Sequence, residues 1–101
     1  MSPRPKKPRH CDCPHRPSGM VMKPAGVPTR ALAKTVLEID ELEALRLCDG
    51  EGLSQAEAGE RMGISRGTVQ RLVTSGRRKM VTAIIECSAL VIETEEGGEK
   101  L

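Results

Sequence analysis

The chain has 101 residues, enough for one domain with a modest core, and it contains no Phe, Tyr or Trp. The core must therefore be built from Leu, Ile, Val and Met, and the aromatic platforms on which single-strand and RNA readers stack bases are missing. The formal net charge of +2 hides blocks: residues 1–34 and 61–79 are strongly basic, and residues 35–60 and 80–101 are acidic.

Two basic blocks flanking an acidic one predict two separate contacts with a polyanion. No apolar run is long enough to span a bilayer and no secretory signal is evident, so a cytoplasmic location without a membrane partner is expected. Four cysteines, two of them one residue apart, do not suggest a disulfide framework.

The first segment, residues 1–30, reads as a basic, Pro-rich arm with a Cys/His cluster and a loop. Pro alternates with basic residues over residues 2–10, which removes backbone donors and predicts an extended, disordered arm. Arg4, Lys6, Lys7 and Arg9 are then either a solvated tail or an arm laid along phosphates or a minor groove. His10, Cys11, Cys13 and His15 place two imidazoles and two thiols within six residues, a set that zinc or iron would accept. The C-x-C spacing is tighter than that of zinc knuckles and no second pair exists, so the balance favours ordinary thiols in a turn, with no cofactor. MKPAGVP, residues 22–28, reads as a loop.

Residues 31–93 form the expected domain, followed by an acidic, disordered tail at 94–101. A short β-branched run predicts a strand at 35–39. Asp40 is expected to cap a helix over 41–48, with Glu43 completing the capping box and Leu42, Leu45 and Leu47 or Cys48 facing inward. Glu41 and Glu43 read as a solvated face, too poorly spaced to work as an acid–base pair. CDGEG, residues 48–52, is the turn that follows.

The stretch SQAEAGERMGISRGTVQRLVTSGRRK, residues 54–79, reads as a capped helix, a sharp turn and a basic second helix. Ser54 and Glu57 form a capping box, Gly63 supplies the left-handed turn residue, and Ser65 caps the helix that starts at Arg66. Ala58, Met62, Ile64, Val69 and Leu72 are placed to lock the two helices, with Gly59 allowing their approach. This is the build that fits a major groove; an ordinary helical hairpin with a solvated charged face is the weaker reading. Apolar residues continue at three- and four-residue spacing to Cys87, predicting a helix over 66–87 of about 33 Å. Gly76 weakens it by about 1 kcal/mol relative to Ala. ALVIE, residues 89–93, is a second strand, expected to pair with 35–39.

GISRGTVQRLV resembles region 4 of bacterial sigma factors. PRPKKPR, MKPAGVP, the run from LEIDELEALRLCDG to RRK, and ALVIE resemble, in that order, a widespread uncharacterised prokaryotic family of predicted DNA-binding proteins with a sigma-like helix-turn-helix. The resemblance covers residues 3–93 and implies fold and DNA binding without a target. It also brings a faint link to metal biology, because some relatives are fused to a domain similar to iron-molybdenum-cofactor-binding proteins and many carry cysteine near Cys11 and Cys13. The chain departs from the family at Met22, where an aromatic is usual, at Gly76, where Ala is usual, and at Cys87-Ser88, where Gly-Lys is usual.

The expected fold is mainly α: a three-helix helix-turn-helix domain, sigma-region-4-like or winged-helix-like, with two short flanking strands. The expected function is sequence-specific binding of double-stranded DNA in transcription regulation, with no enzymatic activity, since phosphate loop, nucleophile elbow and carboxylate pair are all absent from the sequence. Ser65, Arg66, Gly67, Thr68, Gln70 and Arg71 would reach base edges, and Ser54, Gln55, Arg77, Arg78 and Lys79 would contact phosphates. A homodimer and the transcription machinery are the further partners considered. The rival functions are a metal- or redox-responsive regulator sensing through Cys11 and Cys13, and a module that docks on transcription proteins.

Overall fold

The computed structural model describes Cys11 and residues 19–93. The chain runs β1 (Val21–Met22), β2 (Lys34–Leu37), α1 (Ile39–Leu45), α2 (Gln55–Met62), α3 (Arg66–Glu86) and β3 (Ala89–Ile92). Among the described residues it is mainly helical, with three α-helices beside a three-stranded sheet of order β1-β3-β2. Of the expected 1–30 segment, residues 1–10 and 12–18 lie outside the described residues, as does the expected tail at 94–101.

The expected pairing of the two longer strands is present. β2 and β3 run parallel, with Lys34 opposite Ala89 and Leu37 opposite Ile92. A parallel pair needs a long crossover, and here all three helices supply it. β2 ends two residues earlier than the sequence suggested, at Leu37, and the third strand was not foreseen: Met22, read as the start of the loop over 22–28, and Val21 before it pair antiparallel with Leu90 and Val91. Two residues are too few for alternation to show in a sequence.

Helix α1 departs most from expectation. Its cap is Glu38, not Asp40, and its N3 residue Glu41 accepts the Glu38 backbone N–H at 2.8 Å. The frame slips by two residues because the helix follows directly on β2, whose last residue, Leu37, is locked into the core. The Glu93 carboxylate accepts the Ile39 N–H at 2.8 Å and so ties the end of β3 to the start of α1. The helix ends at Leu45 rather than 48, and Arg46–Gly50 widen into a π-type turn closed by the Glu51 N–H on the Arg46 carbonyl at 2.9 Å.

Glu41 and Glu43, expected in solvent, are only 3% and 2% exposed. α3 crosses over α1 at this point, and each carboxylate is compensated where it is buried. Glu41 accepts from Lys79 Nζ at 2.8 Å and from the Ser75 hydroxyl. Glu43 takes a two-pronged contact from Arg46, with both distances 2.9 Å.

The core between sheet and helices holds Leu37, Leu47, Met62, Val69, Val73 and Ile92. Burying each such side chain contributes about 1.5–3 kcal/mol. Of the residues expected to lock α2 to α3, Ala58, Met62 and Val69 are fully buried, and Ile64 and Leu72 pack against them half-buried.

Candidate nucleic-acid interface

The join between α2 and α3 forms as its residues dictate. Ser54 Oγ accepts the Glu57 N–H at 3.1 Å while the Glu57 carboxylate accepts the Ser54 N–H at 2.8 Å. The latter contact holds the Glu57 carboxyl below its ordinary value. Gly63 takes φ 71°, ψ 32°, and the Ile64 N–H closes on the Gly59 carbonyl at 3.0 Å. Ser65 Oγ then accepts the Thr68 N–H at 3.1 Å and lies 3.0 Å from the Thr68 hydroxyl.

With Val69 and Val73 buried, the opposite side of α3 faces solvent. It carries Arg66, Gly67, Gln70, Arg71 and Thr74. Arg71 Nη2 donates to Thr68 Oγ1 at 3.3 Å, which lays its guanidinium back along the first turn. Beyond it, Gln70, Arg71, Thr74, Ser75 and Arg78 line an open cleft. Ser65, Arg66, Gly67, Thr68, Gln70 and Arg71 thus come together as one surface, and Thr68 is the half-buried member. Sequence reasoning left out Thr74, although its position four residues after Gln70 puts it on the same face.

The basic residues further along α3 separate into different environments. Arg77 turns to Asp49, with Nη2 to Oδ1 at 2.7 Å and Nε to Oδ2 at 3.1 Å. This fork lowers the Asp49 carboxyl below its ordinary value and raises the guanidinium. Lys79 points into the body at Glu41. Burial pushes the Glu41 carboxyl up, but the hydrogen bonds from Lys79, Ser75 and the Glu38 backbone outweigh it, and the net shift is downward. Arg78 lines the cleft beside Arg71. Of the three phosphate contacts expected on α3, Arg78 is the one directed to the same surface as the first turns of the helix. Ser54 is exposed and Gln55 half-buried at the start of α2, where Glu57 and Glu60 add exposed acids.

Arg4, Lys6, Lys7 and Arg9 lie outside the described residues, as do His10, Cys13 and His15. Cys11 packs half-buried against the core.

A family model described as "Protein of unknown function DUF134" matches residues 1–100. The chain belongs to this family. Among its relatives, the DUF134 chain is similar to the UPF0251 protein of Chloroherpeton thalassium, 51% identical over 71 residues. That match covers 70% of the chain and 47% of the relative, so the chain spans about half the relative's length. The UPF0251 protein of Vibrio vulnificus strain CMCP6 is 41% identical over 93 residues, covering 92% of the chain and 91% of the relative. A Vibrio cholerae relative is 46% identical over 90 residues, covering 89% and 90%. No solved structure matches the DUF134 chain significantly. Among the described residues, no helix is long and apolar enough to cross a membrane.

Proposed function

We propose that this DUF134 chain is a sequence-specific double-stranded DNA-binding protein that acts in transcription regulation, with α2, the Gly63 turn and α3 as its helix-turn-helix. The observation that carries the reading is the division of α3. Val69 and Val73 enter the core, while Arg66, Gln70, Arg71 and Thr74 stand on one exposed face at the helix N-terminus.

The sizes and chemistry agree with a major groove, which admits one α-helix. Arg66 and Arg71 offer forked donors for guanine, and Gln70 offers a donor–acceptor pair for adenine. Gly67 adds no side chain, so the helix end is able to approach the groove floor closely. Arg78 and the N-terminus of α2 supply phosphate contacts that set register without reading sequence. The chemistry is that of a binding protein and not an enzyme.

The test is selection of bound fragments from a random duplex pool, followed by titration of the selected duplex with Arg66→Ala and Arg71→Ala proteins. Each substitution is expected to weaken binding by about 1–3 kcal/mol and to relax preference at its own base pair, with helix content unchanged. If both variants are folded and bind the selected duplexes like wild type, α3 does not read bases and the reading fails.

A further inference from the structure

The exposed face of α3 changes character along its length. Its first turns are basic and polar, but its last turns present Val81, Ile84 and Ile85, the last two 73% and 74% exposed. A groove of about 350 Å³ runs beside them, between Met80 and Ile84 of α3 and Met22 of β1. β1 is an edge strand, and its Met22, exposed, carries the apolar surface from α3 onto the sheet edge. We propose that the last turns of α3 and the β1 edge form a two-fold interface with a second copy of this chain.

Two observations select a second copy as the occupant. The first is area. Met22, Met80, Val81, Ile84 and Ile85 together expose several hundred Å² of apolar surface, the size of a monomer's largest patch and a large share of the ~800 Å² that each partner contributes to a standard interface. A patch with both a ridge (Val81 and Ile85) and a groove is able to be its own complement under two-fold symmetry. The second is the composition of the rest of the chain. In this sequence, residues 1–10, 12–18 and 94–101 hold Met1, Cys13 and Leu101 as their apolar residues among charged residues, His, Ser, Thr, Pro and Gly, too few to cover such a face.

The interface leaves the DNA surface usable, a corollary that rests on the proposed function. Ile84 follows Arg66 by eighteen residues, five whole turns, so the two share one side of α3 but lie about 27 Å apart along it.

The experiment is sedimentation equilibrium of the full chain across a concentration series, without DNA, for wild type and for Ile84→Glu with Ile85→Glu. Wild type is expected to dimerise, and the double variant to raise the dissociation constant by about 100-fold or more, since charges would be buried unpaired at the contact. Val81→Glu, alone, is expected to act in the same direction. Circular dichroism confirms that the variants remain folded, as expected for side chains this exposed. A wild type that stays monomeric leaves the face to some other partner and overturns the proposal, and so does a dimer that the glutamates do not weaken. Arg66→Ala with Arg71→Ala is expected to remain dimeric, so failure of the DNA reading is seen separately from failure of this one.

Discussion

A Cβ placed on Gly59 would stand 2.7 Å from the carbonyl oxygen of Ile64, closer than atoms tolerate. α2 and the turn after it therefore fit only around a missing side chain. Gly76 is under similar pressure on α3, where a Cβ would meet Leu45 Cδ1 at 2.8 Å. The two contacts differ in what has to move. At Gly59 it is backbone, at the turn that aims α3, whereas at Gly76 it is the tip of a side chain. Gly59→Ala is expected to cost more than about 2 kcal/mol, and Gly76→Ala to stay within about 1 kcal/mol of wild type, because the gain in helix propensity offsets a rotation of Leu45. Urea denaturation of the two variants checks this, and equal costs would show that the turn is softer than the contact implies.

Cys87 closes α3 with φ 54° and ψ 39°, left-handed values for a residue that has a Cβ. Its N–H and that of Ser88 both return to the Ala83 carbonyl, and that geometry usually employs Gly. Cys87→Gly is expected to stabilise the protein by about 1 kcal/mol, from relief of the left-handed strain less the extra chain entropy of Gly. Thermal unfolding under reducing conditions measures it; a lower melting temperature would mean that Cys87 contributes packing that outweighs its strain.

Glu41 makes stability depend on acid. Its carboxyl is held below the ordinary value of 4.5, so the unfolded chain binds the proton more readily than the folded one. The stabilisation is fully present above 4.5 and is lost as pH falls through the depressed folded value. Glu41→Gln is expected to lose about 1–3 kcal/mol at neutral pH, since Lys79 and Ser75 lose a charged acceptor. The gap to wild type should narrow on acidification below 4.5, as denaturation at a series of pH values will show. A constant gap would assign the cost to packing instead of charge.

Arg77 and Arg78 are neighbours with different expected roles in binding. Arg78→Ala is expected to reduce the slope of log affinity against log salt by about 0.9, one phosphate contact. Arg77→Ala should reduce it less, because Asp49 already engages that guanidinium. Asp49→Ala should instead strengthen binding to random duplex by releasing Arg77 and removing a nearby negative charge. Fluorescence anisotropy across a salt series separates the three, and weaker binding by Asp49→Ala would show that the pair holds Arg77 in its binding position.

The sequence alone determined what is local. Ser54 with Glu57, Gly63 and Ser65 specify their helix ends through contacts no more than four residues away, so both boundaries of the turn were legible. The three-and-four spacing of Val69, Leu72 and Val73 likewise fixed which side of α3 enters the core, and hence which arginines face out. Only the tertiary structure decided the rest, because each remaining feature depends on partners distant in the chain. Leu37 locks into the core beside β3 and so shifts the cap of α1 to Glu38. α3 crosses α1 and turns Glu41 and Lys79 inward as a pair 38 residues apart, and Asp49 takes Arg77 across 28 residues. A charge in a sequence carries no sign of whether water or another chain segment will neutralise it; that is settled only when the helices pack.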